Sequence, residues 1–267
     1  MSTTPQTAQM TAGTPEQQAR STGARLLLRS VLAQTRVELL LTLRRGESVL
    51  ITIIVPVVLL VFFASLNFVP AGVQAIDFLL PGILALAVMA TGMVSLGIAT
   101  AYERYYGVLK RLGGSPLPRG GLITAKIISV LVLEALQIAL LVGVAAGVYG
   151  WRPQGAPGIT ILGLVVGTAA FAGLGLAMAG GLRAEATLAG ANGLYLIFLL
   201  LGGGILPLDH LPAPLEALAR ALPAAALTNV LRASMTNGAA FPGSDLILLA
   251  VWAAIILLVA TRSFRWE

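Results

Sequence analysis

Residues 78–101 read FLLPGILALAVMATGMVSLGIATA, a run of 24 residues without a charged side chain. A helix of about 20 apolar residues crosses the ~30 Å hydrocarbon core of a bilayer. The whole chain has a similar character, because 57% of its 267 residues are hydrophobic and only 10% are charged. Soluble domains contain about one quarter charged residues. The sequence therefore predicts an integral membrane protein.

Five further stretches are long and apolar enough to cross a bilayer, so that six transmembrane helices are expected. The predicted spans are 49–68, 78–101, 127–149, 159–182, 188–206 and 246–261. Only helices and closed barrels satisfy all backbone hydrogen bonds in lipid, and this pattern favours an all-α integral membrane protein. Two G-x-x-x-G patterns, at Gly143/Gly147 and at Gly163/Gly167, predict close helix packing in the third and fourth spans.

The basic residues are distributed asymmetrically along this pattern. The net charge of +6 would suggest a nucleic-acid partner in a soluble chain, whereas cytoplasmic loops of membrane proteins are enriched in Lys and Arg. Fourteen of the 17 fall on one side of the six spans: Arg20, Arg25, Arg29, Arg36, Arg44, Arg45, Arg104, Lys110, Arg111, Arg119, Lys126, Arg183, Arg262 and Arg265. We expect a multi-pass protein of the inner (plasma) membrane with both termini in the cytoplasm, in contact with membrane lipids and not with nucleic acid.

The N-terminal region divides into two predicted parts. Residues 1–22 are polar and small, which is typical of a disordered cytoplasmic tail that is not a cleaved signal. Residues 23–46 predict an amphipathic interfacial helix, because Arg25, Arg29 and Arg36 share one helical face and leucines fill much of the remainder. A cytoplasmic extension of the first span is the alternative. Residues 47–267 then form the six-span domain.

Little in the sequence indicates catalysis by this chain. There is no G-x-x-x-x-G-K-[ST] phosphate loop and no H-E-x-x-H zinc motif. The absence of cysteine and the single histidine, His210, exclude a thiolate nucleophile and a Cys- or His-rich metal site. We expect no catalytic residue, no metal site and no enzyme activity in the chain itself.

The segment between the second and third spans is more specific. Residues 103–117 read ERYYGVLKRLGGSPL, which resembles the E-R-x-x-G-[TV]-L-x-x-L-x-x-[ST]-P-[LM] segment of ABC-2 type transporter permeases. Residues 81–83, PGI, are similar to the entry of the second span in that family. The sequence as a whole is similar to the drug- and antibiotic-export branch of that family, of the daunorubicin-resistance kind. Lys110 is a departure, since the family often has Glu there.

The resemblance implies a function and a set of roles. It implies a permease that pairs with a second permease, identical or homologous, and with two cytoplasmic ABC ATPase subunits that bind ATP and Mg, so that this chain binds no cofactor. The complex would export a hydrophobic or amphipathic compound such as a drug, an antibiotic or a lipid-like molecule. The implied ATPase-coupling residues are Glu103, Arg104, Gly107, Val108, Leu109, Leu112 and Pro116. The resemblance also implies two re-entrant external half-helices between spans 5 and 6. Their residues would include Pro207, Pro212, Pro223 and Arg232.

The coupling segment can also be interpreted from its residues alone. Leu109 and Leu112 lie on one side of a short helix and Lys110 and Arg111 on another, which suits insertion into a groove of a partner. A merely solvated positive loop fits the charge pattern equally well.

Glu134 is the acidic residue predicted inside a span, about seven residues into the third. Such a residue is a functional-site hypothesis by default. Gln137, at i+3, lies on the same face and could hydrogen-bond it. Glu134 could join helices as a protonated carboxyl, contact cargo with Gln137 in a cavity, or relay protons in the alternative function, a proton-coupled secondary transporter. A membrane scaffold without transport is a third class.

The charge asymmetry makes a topology prediction. Cysteines placed at Ser2 and Ser263 should react with an impermeant thiol reagent only from the cytoplasmic side, and one at Pro212 only from outside. The native chain has no cysteine, so each variant carries a single reactive thiol. Labelling of position 2 from outside would reverse the orientation.

Overall fold

The computed structural model describes residues 15–44, 46–66, 74–112, 114, 118–236 and 238–263. Within these residues the chain forms helices and connecting turns, with no β-strand. The helices are α1 (Pro15–Arg44), α2 (Gly46–Ser65), α3 (Ala75–Val88), α4 (Leu96–Tyr105), α5 (Val108–Leu112), α6 (Arg119–Tyr149), α7 (Pro157–Gly181), α8 (Ala184–Leu201), α9 (Ala213–Ala221), α10 (Pro223–Met235) and α11 (Gly243–Ser263). A π-helical segment, Met89–Ser95, joins α3 to α4, and a 3₁₀ turn, Leu208–His210, precedes α9.

Five helical segments among the described residues are long and apolar enough to cross a membrane. They are Ala75–Tyr105, which contains α3, the π-helical segment and α4, and the helices α6, α7, α8 and α11. The first predicted span corresponds to α2, whose apolar part, Thr52–Ser65, is shorter. The protein is an all-α membrane protein, as its composition predicts.

Three predicted boundaries differ from the structure by five residues or more. The helix of the third span, α6, begins at Arg119 instead of 127. Helix α1 begins at Pro15, so that residues 15–22, which we assigned to the tail, are helical. Proline is tolerated in the first helical turn because its missing N–H has no partner there. The fifth span ends at Leu201 instead of 206, because Gly203 adopts a φ of 67°, which a continuing helix does not allow. Residues 1–14 lie outside the described residues.

Helix α7 packs on its neighbours through small residues. A methyl group added at Gly163 would lie 2.6 Å from Cγ1 of Val230, and one at Gly167 would lie 2.7 Å from Cδ1 of Leu227. The close packing predicted for the fourth span is therefore present, and its partner is α10. The same prediction is not met at Gly143 and Gly147, because no atom of another described element lies within 4 Å of a methyl group built there.

Helices α9 and α10 occupy the place of the half-helices implied by the resemblance. Helix α10 runs antiparallel to the first half of α7, because Leu227 meets Gly167, Val230 meets Gly163, and Ser234 meets Gly155. Gly167 is ten residues from the start of α7, or about 15 Å along its axis. Helix α10 therefore begins deep beside α7 and returns to the end of the bundle at which α7 starts. Its re-entry into the membrane stays a prediction.

The Pro81-Gly82-Ile83 motif has a packing reason. Gly82 lies directly against the backbone of Gly204, in the turn that follows α8, and a Cβ at Gly82 would overlap the carbonyl group of Gly204. Both contacting groups are main chain, so that neither can move aside as a flexible side chain would. The contact joins α3 to the turn from which α9 and α10 depart.

We predict that Gly82→Ala lowers the melting temperature of the purified protein in detergent. Overpacking a tight contact costs about 1–3 kcal/mol. Gly143→Ala is the matched control, because its methyl group meets open space and alanine is the better helix former by about 1 kcal/mol. Equal melting temperatures of the two variants would contradict the contact.

Candidate functional site

The predicted coupling segment forms a helical corner. Helix α4 ends at Tyr105, and Gly107 reverses the chain with a φ of 71°, a conformation that glycine adopts without a steric cost. Helix α5 follows directly, from Val108 to Leu112. Pro116, the last residue that we assigned to coupling, lies outside the described residues.

Leu109 does not lie where we expected it. Its side chain is 1% exposed and packs in a core cluster with Leu96, Leu122 and Leu176, instead of facing a groove of a partner. Leu112 is partly buried against the same cluster. The short helix turns its apolar side inward because the chain's own core is adjacent. The outward residues of the corner are Tyr105, Tyr106, Val108, Lys110 and Arg111.

Arg104 ties this corner to the turn between α7 and α8. Its Nη1 donates a hydrogen bond to the carbonyl oxygen of Gly180 at 2.5 Å, and its Nη2 donates to the carbonyl oxygen of Leu182. The last carbonyl groups of a helix have no partner within the helix, and a cation there also interacts favourably with the helix dipole. Arg104 thus caps the end of α7.

Glu103 belongs to a buried ion cluster. The Nζ atom of Lys126 in α6 lies 2.7 Å from Oε2 of Glu103 and 3.0 Å from Oε1 of Glu38 in α1. The side chain of Lys126 is 0% exposed, and those of Glu38 and Glu103 are 9% and 13% exposed. Buried charges are tolerated when they are paired and hydrogen-bonded, and here one ammonium serves two carboxylates on two other helices. We call these three residues the ion cluster.

The ion cluster lines a cavity of about 500 Å³ between α1, α4 and α6. It lies at the end of the bundle that carries Arg104, Lys110 and Arg111, which we call the basic end. Its wall combines aromatic, hydroxyl and apolar side chains. Besides the ion cluster, its lining consists of Leu41, Thr42, Thr91, Ser95, Leu96, Ile98, Ala99, Tyr102, Tyr106, Ser129, Val130 and Leu133. We call it the basic-end cavity.

Glu134 and Gln137 do not pair with each other, contrary to our expectation. Oε2 of Glu134 accepts a hydrogen bond from the hydroxyl of Thr168 in α7, and its Oε1 is buried without a hydrogen-bond partner among the described residues. Gln137 instead accepts a hydrogen bond from Thr91 at 3.2 Å and donates one to the carbonyl oxygen of Thr52 at 2.7 Å. Gln137 lines a small cavity of about 20 Å³ that adjoins the basic-end cavity, whereas Glu134 lines neither.

Most of the chain matches a known transporter family. The family model for the ABC-2 type transporter matches residues 29–236, which include the corner, the ion cluster and helices α9 and α10. The chain belongs to the ABC-2 type transporter family. It is therefore a transmembrane ABC transporter subunit and a multi-pass membrane protein. None of the curated proteins compared with it matches significantly.

In this ABC-2 permease the three prolines assigned to the half-helices each precede or begin a helical turn. Pro207 precedes the 3₁₀ turn, Pro212 precedes α9, and Pro223 is the first residue of α10. Arg232 holds α10 in place, because it donates a hydrogen bond to the carbonyl oxygen of Gly203 at 2.8 Å. Its guanidinium also lies 4.1 Å from the ring centroid of Phe78. No group of three His, Asp or Glu side chains within the described residues could hold a metal ion.

Sequence reasoning missed the ion cluster of the permease, although one signal was present. On a helical wheel, Glu38 lies about 220° from Arg25, opposite the face that carries Arg25, Arg29 and Arg36. An acidic side chain opposite the solvated face of an amphipathic helix is evidence for a buried basic partner. Lys126 gave no such signal, because it was one of many basic residues at the same end.

We predict that Lys126→Met destabilises the permease strongly. Removing one member of a buried ion pair costs about 3–5 kcal/mol, because the remaining charges stay buried without compensation. The measurement is the melting temperature of the purified protein in detergent. Arg220→Met is the control, since the exposed Glu216–Arg220 pair of α9 is worth about 0–1 kcal/mol. Equal losses in the two variants would contradict the buried cluster.

Proposed function

We propose that this chain is the permease subunit of an ATP-driven exporter that moves a hydrophobic or amphipathic compound out of the cell. It would act with a second permease and with two cytoplasmic ATPase subunits, which bind ATP and Mg. The observation that carries the proposal is the corner formed by α4 and α5. This corner presents polar and aromatic side chains outward while its other residues are anchored in three separate parts of the bundle.

The outward surface of the corner suits a docking site for an ATPase. Tyr105 and Tyr106 are each about two-thirds exposed, and their rings contact each other at 5.2 Å between centroids. Lys110 and Arg111 add positive charge beside them. Aromatic residues and arginine are enriched in protein interfaces, and the two basic residues favour an acidic partner surface.

The inward contacts of the corner offer a route by which a movement of the ATPase reaches the bundle. Leu109 connects α5 to the core cluster that contains residues of α6 and α7. Glu103 connects α4 to α1 and α6 through Lys126, and Arg104 connects α4 to the turn between α7 and α8. A displacement of α5 would therefore act on four helices together. In this proposal Leu109 and Glu103 transmit force inside the chain, and neither touches the ATPase.

The proposed orientation follows from the charges. The basic end of the bundle would face the cytoplasm, where the ATPase subunits are, with both termini on that side of the inner membrane. The positive-inside rule supports this orientation. Helices α9 and α10 would then lie at the external side.

The proton-coupled alternative receives less support from the geometry. A relay needs a titratable group with access to water, and Glu134 lines neither the basic-end cavity nor the small cavity beside it. Its hydrogen bond from Thr168 joins α6 to α7, which is the arrangement of a polar contact between helices.

Reconstitution tests the proposed function directly. The permease would be purified from its native membrane by an affinity tag, reconstituted in proteoliposomes with the proteins that co-elute, and tested for ATP hydrolysis and ATP-dependent efflux. We expect vanadate-sensitive hydrolysis that transported compounds stimulate. Efflux that proceeds without ATP, driven by a pH gradient and by this chain alone, would support the alternative instead.

We predict that Arg111→Glu lowers substrate-stimulated ATP hydrolysis by at least about tenfold. The glutamate would face the acidic partner surface proposed above, and a cost of only about 1.4 kcal/mol in docking corresponds to a factor of ten. Insertion and melting temperature should not change, since Arg111 is exposed. Arg262→Glu, which reverses an exposed charge at the end of α11, is the matched control and should keep the stimulation. Full stimulation in Arg111→Glu would contradict docking at this corner.

A further inference from the structure

The basic-end cavity is large enough for a small organic molecule. Its volume of about 500 Å³ lies within the range of about 300–1,000 Å³ that is typical of ligand pockets. Its lining follows α4 and the π-helical segment from Tyr106 to Thr91, which spans roughly 20 Å along the helix axis. It therefore extends from the basic end well into the predicted span, as an amphipathic ligand with a long apolar body requires.

The charges that line the cavity do not cancel. Among the described residues, the charged side chains in its lining are Glu38, Glu103 and Lys126, which carry a net charge of −1. Two carboxylates offer about eight lone-pair sites, whereas the ammonium of Lys126 has three N–H donors. Gln34 supplies one further donor to Oε1 of Glu38 at 2.9 Å. Within the part of the chain that the structure describes, the two carboxylates therefore keep unused acceptors, and the ammonium of Lys126 is already engaged by both of them.

The rest of the cavity wall suits a positively charged organic ligand. Tyr102 and Tyr106 lie at the cavity with stacked rings, 6.2 Å between centroids, and an aromatic face attracts an organic cation. Leu96, Val130 and Leu133 supply apolar contacts along the cavity. An anionic ligand would meet two carboxylates and would have to displace one of them from Lys126.

We propose that the basic-end cavity binds cargo of one chemical class, organic cations with an apolar body. The positive centre lies beside Glu38 and Glu103, and the apolar body lies along Leu96, Val130 and Leu133. In naming this ligand as cargo, the inference rests on the proposed export function. The binding site itself requires only this chain. The cation is either a free amphiphile or the ammonium headgroup of a lipid, since both carry the same charged group on an apolar body.

Binding of tetraphenylphosphonium to the purified chain tests the site without the ATPase. The chain would be purified in an uncharged maltoside detergent, which adds no surface potential of its own, with binding to detergent micelles alone subtracted, and tetraphenylborate would serve as an anion of the same shape. We expect saturable binding of the cation at least about tenfold tighter than that of the anion, because a unit charge a few ångströms away favours one sign. Equal binding of the two ions, or no saturable binding, would overturn the proposal.

Three variants locate the site. Glu38→Gln neutralises the excess charge while Lys126 keeps Glu103 as a partner, and it should weaken cation binding about tenfold. Ser95→Leu keeps all charges but fills the cavity, and it should weaken binding even if Glu38→Gln disturbs helix packing. Glu216→Gln removes a partly exposed acidic residue of α9, outside the cavity, and should bind as the native chain does. Unchanged binding in both cavity variants, or an equal loss in Glu216→Gln, would overturn the proposal.

Lipid composition separates the two sources of the cation. If added phosphatidylethanolamine competes with tetraphenylphosphonium, the lipid ammonium occupies the cavity. If it does not, a free amphiphile is the ligand, and both results retain an organic-cation site. Failure of this proposal is distinct from failure of the export function. ATP-dependent efflux without cation binding would remove only the site, and cation binding without ATP-dependent efflux would remove only the export function.

Discussion

The contact of Lys126 with two carboxylates is the constraint on which the basic end of the bundle depends. Glu38, Glu103 and Lys126 come from three different helices, and the ammonium of Lys126 joins them. Burial makes each charge costly alone, so that the cluster is stable only when α1, α4 and α6 are all in place. The corner with α5, the cap by Arg104 and the wall of the basic-end cavity are all positioned by helices that this cluster joins.

The other half of the molecule depends on close contacts at glycines. Gly163 and Gly167 admit side chains of α10, and Gly82 admits the main chain of the turn after α8. These contacts replace hydrophobic association, which provides no driving force between helices in lipid. One end of the bundle is therefore joined mainly by the buried ion cluster, and the other mainly by close packing at glycines. The ion cluster belongs to the end beside water, where partly exposed carboxylates retain some hydration.

The sequence predicts the fold class and the approximate spans, because apolar length and backbone hydrogen bonding leave few alternatives in a membrane. Residues 103–117 alone indicate the family, because their spacing of charged, glycine and proline positions resembles one permease segment. Tertiary contacts are harder to predict. The G-x-x-x-G pattern of Gly143 and that of Gly163 look alike in sequence, yet only the second has a neighbour among the described residues. From the sequence, Leu109 is expected to face a partner, because the core cluster that buries it is formed by residues of other helices. Lys126 cannot be distinguished in sequence from the other basic residues at the same end.

The π-helical segment Met89–Ser95 has a geometric consequence for everything that follows it. A π-bulge acts as the insertion of one residue, and one residue corresponds to a rotation of about 100° around the helix axis. Glu103 and Arg104 therefore point toward Lys126 and the end of α7 with that offset included. If the same seven residues were wound as a regular α-helix, both side chains would be turned by about a quarter of a revolution around the axis. The wide π-helical turn therefore determines the rotation of Glu103 and Arg104 around the helix axis relative to Gly82.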